Sequence, residues 1–222
     1  MNNSVTNTAR LLGAGLRALL VLTLVTGVIY PLVVTGIAQG LFNNTANGSE
    51  IKADGQVVGS SLIGQSYNLP LKKGQETPAP DLKWFQGRPA NGLGSNSVNT
   101  QYKLLLSGAT NLSADNKDLI KQVNDAKAAV VKDNSVPGYT VEASAVPADA
   151  VTSSGSGLDP DISPDYAEIQ VHRIAARNGL SVAEVDKLVK DHTEGRTLGF
   201  MGEPRVNVLE LNIALKDLAA KS

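Results

Sequence analysis

Ala18–Ala38 reads ALLVLTLVTGVIYPLVVTGIA, 21 residues without a charge. At about 1.5 Å per residue a helix of that length spans roughly 30 Å, the thickness of a bilayer's hydrocarbon core. Twelve of its residues are Leu, Ile or Val, each favouring insertion by roughly 0.3–0.6 kcal/mol. Their sum, about 5 kcal/mol, is set against the threonines, the glycines and Pro31. Arg10 and Arg17 precede the run, and no acidic residue occurs before Glu50. The positive-inside rule keeps residues 1–17 in the cytoplasm and sends the chain after Ala38 to the other side.

Two other readings use the same residues. A cleaved signal peptide also joins basic residues to an apolar run, and Gly36-Ile37-Ala38 suits its cut site. Its apolar run, however, is about 7–15 residues long, and Tyr30-Pro31 stands well before that cut. A buried core helix is the other reading, and the uncharged length argues against it.

With 1–38 set aside, 184 of the 222 residues remain, enough for one domain with a core of its own. That part carries 18 basic and 21 acidic residues. It has no basic surplus to hold nucleic acid through its phosphates. The absence of cysteine excludes disulfides, thiolate metal sites and cysteine nucleophiles. The expected fold class is α+β: one N-terminal transmembrane helix at 18–38, a linker at 39–56, and a single mixed helix/strand extracytoplasmic domain over 57–222 with a helical C-terminal third.

Residues 40–56 are polar and rich in Gly and Asn, as in a link. Gln56–Tyr67 is a strand candidate, with Val57, Val58, Leu62 and Ile63 among glycines. Residues 68–83 read as surface loop, Trp84-Phe85 as the densest aromatic spot, and 91–116 as a second polar stretch. Leu119, Val123, Ala126 and Val130 recur at helical spacing behind Asp115 and Asn116. Residues 133–164 are rich in Pro, Gly and Ser, a long connection with short extended pieces. Ser163 as N-cap and Pro164 at the first position then predict a helix to Asn178, stopped by Gly179. Ser181 and Glu184 form a capping box that opens a second helix to about His192. A glycine-rich loop follows, and Asn207 with Glu210 opens a last helix bearing Val208, Leu211, Leu215 and Leu218.

The chemistry on offer is thin. Asp159, Asp161, Ser163 and Asp165 alternate as in a calcium loop, but such a loop needs glycine where Pro164 stands and glutamate where Gln170 stands. VHRIAARNGLSVAEVDKLV has helix-turn-helix spacing, yet Glu184, Asp186 and Asp191 outnumber Lys187 and Lys190 on the second helix, so an αα-hairpin fits better. His172 and His192 match no zinc spacing. Ser154 and Ser156 lack the nucleophile elbow, and no Walker A string occurs. A free-standing anchored enzyme would have to use His192, Glu194 and Asp159, and a secreted binding module would follow cleavage at Ala38.

Six strings go further: YPLVVTG (30–36), GSSLIGQ (59–65), FQGRPA (85–90), VTSSGSGLDPDISP (151–164), QVHRIA (170–175) and HTEGRTLGFMGEPRVNVLELNIAL (192–215). In this order, over nearly the whole chain, they resemble the C subunit of the Kdp potassium-transporting ATPase. The stretch 91–106 and SGATNLSADN (107–116) depart from the family pattern. The resemblance implies an accessory subunit of the inner membrane, with no catalytic site, metal or cofactor of its own. Its implied partners are a channel-like potassium-binding subunit, a P-type ATPase subunit that uses the ATP, and a small hydrophobic subunit. It also implies a proposed role in raising the ATPase subunit's affinity for ATP, which sits badly with a domain outside the cytoplasm. The interface candidates are Gly27, Tyr30 and Pro31 in the anchor, and Asp159, Asp161, Arg196, Glu203 and Arg205 in the domain. Asp159 and Asp161 are expected either to cap backbone N–H groups or to raise the local cation concentration.

Overall fold

A computed structural model describes residues 3–75, 77–95 and 105–221. Part of the divergent 91–106 stretch, residues 96–104, lies outside the described residues. The chain forms two units, Met1–Glu50 and Ile51–Ser222.

The first unit is one long apolar helix. α1 (Asn3–Leu24) passes through a π-helical turn at Val25–Ile29 into α2 (Tyr30–Leu41), and a short α3 (Asn43–Ala46) follows. Ser4–Leu41 is long and apolar enough to cross a membrane, and none of its most apolar stretch is buried within the protein. The π turn has a local cause. Pro31 has no N–H, and its ring crowds the carbonyl four residues back, Gly27. Widening the turn relieves that clash, and the Tyr30 N–H reaches five residues back to the Val25 carbonyl. The Thr26 hydroxyl donates to the Leu22 carbonyl at 2.7 Å. Beyond α2, Asn43 and Asn47 donate to the Gln39 side chain at 2.8 and 3.1 Å, tying the polar end of the helix together.

The second unit opens with a hairpin where the sequence suggested a link. β1 (Glu50–Ala53) pairs with β2 (Gln56–Ser60). The turn between them is Asp54-Gly55, both at positive φ (52° and 76°), as a tight hairpin of this twist demands. β2 ends at Ser60, short of the Tyr67 expected, because the Ser60 hydroxyl and carbonyl accept the Leu62 and Ile63 N–H groups and bend the chain away. β3 (Gly94–Ser95) and β4 (Leu105–Leu106) form a second antiparallel pair.

α4 (Lys117–Asn134) is capped by the Asn116 side chain, which accepts from the Asp118 and Leu119 N–H groups. The connection after it holds two 3-10 turns, Ala143–Ala145 and Ala148–Ala150, then β5 (Asp161–Ile162). α5 (Pro164–Asn178) and α6 (Val182–Asp191) begin at the expected caps, and Gly179 ends α5 in the left-handed region at φ 71°. β6 (Thr193–Glu194) and β7 (Arg205–Asn207) complete a three-stranded antiparallel sheet in the order β5-β7-β6. α7 (Val208–Ala219) is capped by Asn207.

α5 lies at the centre. Ala167, Val171, Ile174 and Ala175 are buried as the apolar spacing predicts, together with Leu211 and Leu215 of α7, Val185 of α6 and Phe85. Gln170 and Arg173 of α5 are buried too, so the helix is enclosed on more than one face. Arg173 is 1% exposed. It donates to the Trp84 carbonyl (3.0 Å), the Leu82 carbonyl, Gln170 Oε1 (2.6 Å) and Asn134 Oδ1 (2.8 Å). Burial lowers its pKa to about 10, still far above neutrality. Asn212 of α7 completes the clasp: it donates to the Phe85 carbonyl and accepts the Phe85 N–H. The 82–86 segment is thus held by side chains rather than by a strand, which satisfies its buried backbone groups.

Candidate functional site

The Ser154–Pro164 loop is pinned along its length. The Ser163 N–H and hydroxyl both donate to the Asp149 carboxylate (2.7 and 2.9 Å), and the same hydroxyl accepts the Tyr166 N–H at the start of α5. Asp161 and Ile162 pair with Asn207 and Val206 of β7. The Pro160 carbonyl accepts the Val208 N–H, and the Leu158 carbonyl accepts the Gly64 N–H at 2.8 Å. The Ser156 carbonyl accepts from the Gly108 N–H and the Ser107 hydroxyl.

The carboxylates in this loop are engaged. Asp159 Oδ2 pairs with Arg88 Nη1 at 3.0 Å, while Oδ1 accepts the Asp161 N–H at 3.1 Å. Arg88 also donates to the Thr152 carbonyl. Asp161 Oδ2 lies 3.3 Å from Arg205 Nε, and Arg205 Nη2 pairs with Glu194 at 2.6 Å. Asn207 donates to Asp161 Oδ1 and to the Ser61 carbonyl. Burial raises the Asp161 carboxyl above its usual range; Arg205 works in the opposite direction, and the nearby Asp159 and Glu194 charges raise it further. Beside this framework is a cleft of about 500 Å³, lined among others by Ile63, Gly64, Arg88, Leu93, Leu105 and Asp159.

Of the residues singled out in the sequence, Asp159, Asp161, Glu194 and Arg205 come together here, with Arg88 added by the fold. The 71-residue separation of Arg88 from Asp159 hides that pair from any local pattern. Arg196 and Glu203 pair with each other at 2.6 Å at the neck of a separate exposed hairpin. Gly27, Tyr30 and Pro31 lie on the apolar helix of the first unit, Gly27 within its π turn. A Cβ added at Gly27 would touch only the Thr23 methyl, at 4.0 Å, so that surface is open for close approach.

The residues that an anchored enzyme would need are differently occupied. Asp159 serves Arg88, Glu194 serves Arg205, and His192 Nδ1 donates to the Leu188 carbonyl at 2.9 Å. His172 stacks on Tyr139, ring centres 3.7 Å apart. Among the described residues, no three His, Cys, Asp or Glu side chains gather where they could hold a metal ion.

Comparison with known proteins agrees with the strings quoted from the sequence. The family model described as "K+-transporting ATPase, c chain" matches residues 12–217. The potassium-transporting ATPase KdpC subunit of Streptomyces avermitilis is 80% identical over 222 residues, the whole of both chains. That of Streptomyces coelicolor is 74% identical over 220 residues, 99% of this chain and 98% of the relative. That of Mycobacterium tuberculosis is 41% identical over 203 residues, 91% and 96% of the two chains.

Proposed function

This chain belongs to the family of the K+-transporting ATPase c chain, and from that premise we propose that it works by contact, holding a potassium-uptake ATPase together without hydrolysing ATP itself. It is a potassium-transport subunit with one candidate membrane-spanning helix. The partners that fit are those of the resemblance: a channel-like potassium-binding subunit, a P-type ATPase subunit that uses the ATP, and a small hydrophobic subunit. It needs no cofactor of its own in this role.

The observation that carries the proposal is the Ser154–Pro164 loop. Its carboxylates are matched by Arg88 and Arg205, and its backbone is bonded to β7, α7 and the 62–64 turn. Such a segment docks with little ordering cost. A carboxylate already paired with a guanidinium is a weak source of free negative potential, which favours the structural role of Asp159 and Asp161 over cation focusing. Raising ATP affinity by direct contact requires nucleotide on the domain's side of the membrane. The positive charge of Arg10 and Arg17 ahead of the apolar span supports a domain on the opposite side.

The test is purification in mild detergent with and without Gly27→Leu. The wild-type chain should bring down three other polypeptides in fixed ratio. In Gly27→Leu the new side chain has room on its own helix, so insertion should be unchanged, whereas a closely packed neighbouring helix is pushed away. Recovery of the partners should fall several-fold. A wild-type chain that purifies alone would overturn the proposal.

A further inference from the structure

The glycine-rich loop between β6 and β7 is a built hairpin. Thr197 and Met201 form an antiparallel bridge, with both N–H groups donating across it at 2.9 and 3.0 Å. The Arg196–Glu203 ion pair closes its neck, and the Arg205–Glu194 pair braces its base. At its tip Leu198 is 78% and Phe200 71% exposed, with Met201 beside them.

Leu198 is costly twice over. It is a large apolar side chain in water, and it sits at φ 54° in the left-handed region, where glycine or asparagine is the stable choice. Gly199 follows at φ 81°. Neither folding nor solubility explains a leucine there. A strained, exposed residue on a rigid frame is the mark of a contact made with something else.

We propose that the Leu198–Met201 tip is a docking knob that inserts into an apolar, polar-rimmed socket on another subunit of the transport complex, on the same side of the membrane as residues 51–222. This rests on the assembly reading above. The tip has the anatomy of a small interface, an apolar centre inside a polar rim. That rim speaks for a protein over a lipid surface. Its arginines, Arg196 and Arg205, are each already paired with a glutamate, which leaves no surplus positive charge to draw the tip to anionic headgroups.

The experiment is purification of the full chain with its co-expressed subunits in lipid-free detergent, comparing wild type, Leu198→Asn and Phe200→Ser. Both substitutions should cut recovery of the other subunits by about tenfold or more, as loss of a central apolar anchor does. Asparagine tolerates the left-handed backbone, so the anchored chain carrying Leu198→Asn should melt at the same temperature as wild type or about 2 °C higher. Stability unharmed and assembly lost is a pairing that a merely structural hairpin would not give. Unchanged recovery overturns the docking knob while leaving the assembly reading intact, and is also what a lipid-facing tip would produce. A parallel fall in melting temperature and recovery overturns it too, since the tip would then serve its own domain. A wild-type chain that brings down no subunit removes the assembly reading and the knob with it.

Discussion

Arg173→Met is expected to lower the melting temperature of the chain by about 10 °C, the largest effect of any single substitution outside the apolar core. The methionine fills most of the volume but donates nothing. The Leu82 and Trp84 carbonyls, Gln170 Oε1 and Asn134 Oδ1 each lose a donor. A buried acceptor left without its partner costs about 1–3 kcal/mol, and some of these keep a second bond, so the sum is on the order of 4 kcal/mol. Arg173→Lys should recover only part of this, because an ammonium cannot reach in the several directions of the guanidinium fork. Thermal unfolding followed by circular dichroism in detergent reads the effect. A shift below about 2 °C, no larger than for an exposed position, would mean that the clasp on residues 82–86 is not what holds them.

Gly64→Ala should detach the candidate site from its support. A Cβ there would lie 2.4 Å from the Asp159 carbonyl oxygen and 3.0 Å from its carbon. Both are backbone atoms, so no side chain can swing aside. The two segments must separate, losing the Gly64–Leu158 hydrogen bond as they do. Overpacking and the lost bond together cost about 3 kcal/mol. Gly155→Ala is the control, since nothing lies within 4 Å of its Cβ position. Limited proteolysis should cut the Ser154–Asp159 loop of Gly64→Ala many times faster than that of Gly155→Ala. Equal rates would show that the loop is not seated on the 62–64 turn.

Neither position announces itself in the sequence, and the reason is one of range. Signals that act within a few residues were readable: the Asn116, Ser163, Ser181 and Asn207 caps and the Gly179 stop all stand where their side chains predict. Signals that join distant segments were not. Arg173 sits among Ala167, Val171 and Ile174, and one apolar stripe gave no hint that α5 would be enclosed on its polar side as well. The clue available was a Gln170–Arg173 pair, long polar side chains one turn apart on a helix with few other charges. The Asp54-Gly55 hairpin was legible in principle, as a turn dipeptide just ahead of the β-branched Val57-Val58 pair. But β1 is the β-poor run EIKA, and the Asn- and Gly-rich stretch ahead of it read as a link. In the site, Asp159, Asp161 and Arg205 were picked out by the strings they occupy. Glu194 stood out only beside His192, as a possible catalytic group, and Arg88 did not stand out; their pairing with Arg205 and Asp159 needed the fold to bring them close. Leu198 and Phe200 looked like loop residues because their exposure and backbone strain exist only in three dimensions.

A docking domain outside the cytoplasm is tested most directly by asking which side of the membrane it occupies. The chain contains no cysteine, so single thiols can be introduced without background. Ser4→Cys marks the N-terminus, and Lys73→Cys and Lys221→Cys mark exposed points of the domain. Sealed right-side-out vesicles are treated with a membrane-impermeant maleimide. The arginine bias predicts that positions 73 and 221 react at once, and that position 4 reacts only after the membrane is permeabilised. Reaction at position 4 with protection at 73 and 221 would put the domain in the cytoplasm beside ATP, and would contradict a subunit that acts by contact on the far side.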